Sequence, residues 1–194
     1  MLIAACGELL SRELDAAAVT PPEGTPLGAL AGTVRDMARA YADDGFTFFA
    51  GGDLVNALAA FSYGSGWLHF GLAYGLLVLP GKKPAACPFA GHTQILPPPA
   101  LAAKLDEKTR RYARLLDTAC ASVVPAPEPE TAGGMFARRI ILIGACYAQG
   151  GKYSLSTGAQ EEALARFSYG HGWLDAGVRT GLLTLTGNRE IFTI

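Results

Sequence analysis

The sequence predicts an all-α protein: two tandem up-and-down three-helix bundles packed as a pseudo-twofold six-helix assembly. Three observations predict it. Apolar residues recur at helical spacing along most of the chain, and no segment sustains a period-2 alternation, so strands are not expected. The chain also repeats itself: Phe61-Ser62-Tyr63-Gly64-Ser65-Gly66-Trp67-Leu68 returns as Phe167-Ser168-Tyr169-Gly170-His171-Gly172-Trp173-Leu174, 106 residues later. Sliding the sequence by that offset pairs residues 1–88 with 107–194 without a gap and gives 26 identities, 14 of them in the 21 pairs from Ala57/Ala163 to Leu77/Leu183. The two tryptophans of the chain coincide. A unit of this length has small-domain size. The expected organisation is a three-helix unit over 1–79, a Pro-rich linker over 80–99 and a second three-helix unit over 100–194.

The elements follow in order. The first helix runs from Leu2 to Ala18 and stops at Thr20-Pro21-Pro22; its copy runs from Pro99 to Val123, with Leu105, Tyr112, Leu115, Leu116 and Ala119 on one stripe, and stops at Pro125. The second helix spans Leu27–Ala50 and Gly134–Ser156. The third follows Gly51-Gly52 with Asp53 as N-cap and reaches Leu79; its copy runs from near Gly158 to Leu185. This helix is apolar nearly all round, so it must be surrounded by protein. Its glycines (Gly64, Gly66, Gly71, Gly75 and their copies) each cost about 1 kcal/mol relative to alanine inside a helix. Close approach of another helix is the natural compensation, because a missing Cβ lets the axes come nearer. The third helices are therefore expected at the centre, against each other. A helix break at Gly64-Ser65-Gly66 is the competing reading.

Tyr41-x-x-Asp44, Phe48, Gly52-Asp53, then Ala57 to Gly75, together with the second-copy run from Phe167 to Leu182 that includes Trp173-Leu174-Asp175-Ala176-Gly177-x-Arg179, resemble the archaeal family catalogued as domain of unknown function 357. The resemblance covers both units. It implies an up-and-down three-helix bundle for each, an archaeal and cytoplasmic setting, and no activity. The copies depart from the pattern in opposite places. The first keeps Asp44 and Asp53 but has His69, Phe70 and Ala73 where the second has Asp175, Ala176 and Arg179; the second has Gly150 and Ala159 in place of the two aspartates. Ordinary divergence explains this, and so does a joint site to which each copy contributes half. Single-copy relatives are expected to dimerise through the third helix, which light scattering would test.

The candidate ligand- or partner-binding residues are Asp44, Tyr63, Trp67, Tyr169, His171, Trp173, Asp175 and Arg179. Asp175 and Arg179 lie one turn apart and predict an ion pair. His171 sits on the core stripe where the first copy has Ser65, and a buried neutral histidine is the plain expectation. The tryptophans and tyrosines serve packing between units or line a cleft. Arg166-x4-His171 superficially resembles the signature of helical ribonucleases of the HEPN type, but residues five apart lie about 140° apart on a helix and do not share a face. Cys87 and His92 lack the second ligand pair of a zinc site, and Asp43, Asp44 and Asp53 are too scattered for a calcium loop. No catalytic residue, metal or cofactor is expected.

Composition bounds the rest. The chain has 194 residues, 50% apolar and 17% charged, with a net charge of −1 and a mean hydropathy of +0.24. That excludes a disordered chain and argues against nucleic-acid binding, which calls for a basic excess. Cys6, Cys87, Cys120 and Cys146 form no CxxC and are expected as free thiols in a reducing cytoplasm. The longest apolar run, Trp67–Leu79, is too short to span a membrane, and the N-terminus lacks a signal peptide's basic region. The expected role is that of a non-enzymatic interaction or scaffold protein with an unidentified protein partner, and the high apolar fraction points to self-association into a homo-oligomer. The alternative is a small-ligand binder or enzyme using a cleft between the units; RNA binding or cleavage is weaker. An interface pocket holding two or more of Asp44, His171, Asp175 and Arg179 would favour the cleft, and their dispersal over exposed faces would favour the scaffold.

Overall fold

The computed structural model describes residues 2–81 and 99–193. Most of the Pro-rich segment expected as a linker lies outside the described residues, as does Cys87. Six helices dominate: α1 (Leu2–Ala16), α2 (Pro26–Ala50), α3 (Leu54–Tyr74), α4 (Ala102–Ala121), α5 (Ala132–Ser156) and α6 (Gln160–Arg179). Within each repeat the three helices pack on one another, and α3 packs on α6 about as extensively as it packs on α2. One continuous apolar core joins both repeats.

The helix starts follow from local chemistry. Thr25 and Thr131, identical across the repeat, each accept the backbone N–H three residues on, Gly28 and Gly134, at 3.0 Å. They cap α2 and α5 a residue or two earlier than the apolar periodicity indicates. Asp53 caps α3 as expected, accepting from the Asn56 N–H at 3.2 Å. Its counterpart Ala159 makes no side-chain cap on α6.

The third helices end before Leu79 and Leu185, and the expectation of no strands is corrected. Gly75 is not a mid-helix residue but the C-cap of α3, left-handed at φ +79°. The Leu76 N–H then bonds Gly71 O at 2.9 Å, and Leu182 bonds Gly177 O at 3.0 Å in the second repeat. This six-to-one bond is the Schellman stop. The freed chain turns back as β2 (Leu77–Val78), pairing antiparallel with β1 (Ala18–Val19); β4 (Leu183–Leu185) pairs likewise with β3 (Val123–Pro125). Strands of two or three residues are too short to leave a period in the sequence.

α3 is continuous through Gly64-Ser65-Gly66, and the Ser62 and Ser65 hydroxyls donate to the carbonyls of Leu58 and Phe61 one turn back, at 2.7 and 2.8 Å. The break reading is therefore overturned. Fifteen of the 21 residues of α3 and fourteen of the 20 of α6 are buried, which makes both interior rods. They meet at Gly66 and Gly172. A Cβ on Gly66 would lie 2.5 Å from Tyr169 O and 3.2 Å from Gly172 Cα; one on Gly172 would lie 2.5 Å from Tyr63 O. Only two facing glycines allow backbones to approach so closely. Gly45 and Gly151 do the same within each repeat, giving the rings of Phe61 and Phe167 a slot on α2 and α5.

Candidate functional site

The crossing brings a pair of polar residues from each rod to the other. Tyr63 of α3 donates its hydroxyl to Oδ2 of Asp175 on α6. Tyr169 of α6 meets Nδ1 of His69 on α3 at 2.9 Å. Under the 106-residue offset Tyr63 matches Tyr169 and His69 matches Asp175, so the two bonds are related by the pseudo-twofold axis and each repeat holds the other's partner. Each pair has a third member. The Thr193 N–H donates to Asp175 at 3.0 Å, and its hydroxyl lies 3.1 Å from the Tyr63 oxygen. His69 Nε2 stands 3.5 Å from Oε2 of Glu13 on α1.

Asp175 is fully buried, and the tyrosine hydroxyl and the amide supply what a carboxylate there requires. The ion pair expected between Asp175 and Arg179 does not form. Arg179, the last residue of α6, is exposed, and its one-turn spacing carries it off the helix end into solvent. Trp67 and Trp173 are core residues at 0% and 4% exposure, and both buried indole N–H groups have no hydrogen-bond partner among the described residues.

On one side of the crossing the repeats leave a cleft of roughly 330 Å³. Tyr41, Asp44 and Phe48 of α2 line it together with Asn56, Ala59, Ala60 and Tyr63 of α3. Across from them stand Lys108, Tyr112 and Leu115 of α4, His171 of α6, and Ile191 and Thr193 of the C-terminal segment. Of the sequence candidates, Asp44, Tyr63 and His171 line this space, and Asp175 lies behind Tyr63. Tyr169 belongs to the other side of the crossing.

The electrostatics sort the polar groups. Burial, reinforced by the Asp175 carboxylate, holds the Tyr63 phenol well above its ordinary pKa, and burial also raises that of Tyr112. Both are neutral hydrogen-bonding groups at pH 7. Burial lowers the pKa of His171, although Asp175 and a bond to the Ile191 backbone pull the other way. Its ring packs edge-on against Tyr63 and Phe192, at 5.7 and 5.9 Å between centroids, and Nε2 has no hydrogen-bond partner among the described residues. Burial thus favours the neutral ring, the form expected for a histidine on the core stripe. Asp53 is not a cleft residue. Burial opposes its charge, but the Lys104 ammonium at 2.7 Å and the bonds from Asn56 outweigh that and lower its pKa. Among the described residues no group of three or more His, Cys, Asp or Glu could hold a metal.

Sequence reasoning missed Lys108, Tyr112, Asn56 and the C-terminal segment as parts of the site, and His69 and Glu13 as partners. Aligning His69 beneath Asp175 was the available signal, because a twofold crossing at Gly66/Gly172 turns that alignment into exchanged bonds. Thr193 acts in part through its backbone N–H, which no side-chain pattern reveals.

The family described as "Protein of unknown function (DUF357)" matches the chain twice, over residues 7–77 and 111–183. The chain belongs to this family. The two matches are the two repeats, so this DUF357 protein is a tandem duplication whose copies meet along α3 and α6. No curated protein and no solved structure matches it. No described helix is long and apolar enough to cross a membrane.

Proposed function

We propose that this protein binds a small organic ligand in the cleft between its repeats. One observation carries the reading: residues far apart in sequence and on different repeats, Asp44 and His171, line one concave space with Tyr63. A volume of roughly 330 Å³ lies at the small end of ligand sites, and a few convergent polar groups among aromatic and aliphatic walls are the usual composition. The reading treats the chain as two three-helix units, 1–79 and 100–194, joined by 80–99. A reducing, cytoplasmic setting is supported by the thiols of Cys120 and Cys146, which form no disulfide among the described residues. Burial pushes the Cys120 thiol up to about 11, so it is not a ready nucleophile.

A fragment library screened by NMR against the full chain tests the proposal. Hits are expected to shift Tyr41, Tyr63, Tyr112 and His171 together. Hits confined to other surfaces, or none, would refute it.

A second reading, a protein-interaction module, draws on Met135, Leu142 and Tyr153, which stand 57%, 62% and 72% exposed along α5. Charged substitutions there would abolish self-association in light scattering if that face joins two copies.

A further inference from the structure

The pseudo-twofold axis relates the cleft to a second place on the opposite side of the crossing, and the two places differ at several positions, three of which decide whether the space is open. Where the cleft has Asp44, Asn56 and Ala60, the other side has Gly150, Glu162 and Arg166. Arg166 lies directly over Gly150: a Cβ there would meet Arg166 Nη1 at 2.8 Å and its Cδ at 3.6 Å. Glu162 holds the guanidinium at 2.6 Å. The second side is thus filled by a cation belonging to the chain itself. On the cleft side the arginine is replaced by Ala60, and a carboxylate, Asp44, stands where the guanidinium's glycine seat would be. Among the described residues Asp44 makes no ion pair and no side-chain hydrogen bond, and the same holds for Lys108 on the facing helix α4. The cleft therefore presents one unmatched carboxylate and one unmatched ammonium, with Tyr41, Tyr63 and Tyr112 among its walls.

We infer that the open cleft takes a small zwitterion, its guanidinium or ammonium group set against Asp44 and tyrosine faces and its anionic group against Lys108. This rests on the ligand-binding reading above and adds the class of ligand. The cation takes the place corresponding to that of Arg166 on the other side, and the tyrosine rings of the cleft walls add cation–π attraction. The anion neutralises Lys108, which a purely cationic ligand would leave facing a like charge. No chemical step is involved, only binding.

Titration of the ¹⁵N-labelled full chain with 4-guanidinobutyrate at low salt tests it, with agmatine (no carboxylate) and butyrate (no cation) as one-sided probes. Saturable shifts at Tyr41, Tyr63 and His171 are expected with 4-guanidinobutyrate. Each one-sided probe is expected to bind about tenfold more weakly or worse, as loss of one charge-assisted contact implies. Asp44→Asn and Lys108→Gln, both at solvent-reachable positions, should each weaken the zwitterion by a similar factor while leaving the spectrum folded. Agmatine binding as tightly as the zwitterion, indifference to either substitution, or no saturable shift would overturn the inference. Neutral phenolic fragments run in parallel separate the two levels. If p-cresol shifts the cleft residues and the zwitterion does not, only the ligand class falls; if neither does, the cleft reading falls with it.

Discussion

Replacing Gly66 by alanine tests the centre of the fold. In an ordinary helix interior the change would add about 1 kcal/mol of stability through helix propensity. Here the new Cβ would stand 2.5 Å from the carbonyl oxygen of Tyr169 and 3.2 Å from Gly172 Cα. Both obstacles are backbone atoms of the facing rod, so no side chain can rotate away. Restoring ordinary contact requires the rods to part by roughly 0.9 Å, and such a gap forfeits a quarter to a half of each dispersion well along the seam. Overpacking typically costs about 1–3 kcal/mol, and the Tyr63–Asp175 and Tyr169–His69 bonds beside the crossing stretch with it. A net loss of about 2 kcal/mol is expected, or a melting temperature roughly 4–8 °C lower for a chain of this size. Gly32→Ala is the matched control. It lies within α2, a Cβ there meets nothing within 4 Å, and about 0.5–1 kcal/mol of stabilisation is expected. Urea unfolding followed by circular dichroism measures both. If Gly66→Ala is as stable as the wild type or more so, the rods do not touch through this glycine and the fused-pair architecture is wrong.

Three further outcomes are expected. Tyr63→Phe removes the hydroxyl donor of a fully buried carboxylate and should destabilise by about 1.5–3 kcal/mol, whereas Tyr153→Phe, on an exposed ring, should lie within about 0.5 kcal/mol of wild type in the same urea assay. Stability should fall as pH drops below about 6.5. The folded state holds the His171 pKa below its ordinary value, so beneath the unfolded pKa the unfolded chain binds the extra proton and stability rises with pH across the window. Urea midpoints at several pH values should show a shallower slope there for His171→Ser, with Asp175 and Tyr63 unchanged beside it; an identical slope would assign the pH dependence elsewhere. Ala60→Arg should fold, bring a guanidinium within reach of Asp44 and abolish fragment binding to the cleft, and undiminished binding by NMR would show that the open cleft does not depend on this small residue.

Much of this architecture is legible in the sequence because its causes are periodic or duplicated. The shared Trp67/Trp173 segments, apolar all round, leave no option but an interior rod, and paired glycines specify what lies against it. Other features were hidden because their causes are local or relational. Schellman stops at Gly75 and Gly181 cut the third helices short of Leu79 and Leu185, and mid-helix and capping glycines look alike in a one-dimensional pattern. The Asp175–Arg179 spacing favours a pair on an open helix surface, but Asp175 faces the other rod while Arg179 hangs off the helix end. Within the site, His171 and Tyr63 were readable as buried polar positions. Lys108 was not, because on α4 it reads as one more solvated cation until the first repeat is laid opposite.

The exchanged tyrosine bonds carry a consequence about symmetry itself. In a homodimer of identical subunits, a substitution near the axis is made twice, so opposite faces of the seam must remain alike. Joining the copies in one polypeptide lifts that restriction. An aspartate can answer one tyrosine and a histidine the other, and an arginine can brace one flank while its opposite flank stays hollow. The covalent link thus does more than hold the halves together: it lets a fold that began as mirror-like duplicates acquire a left and a right.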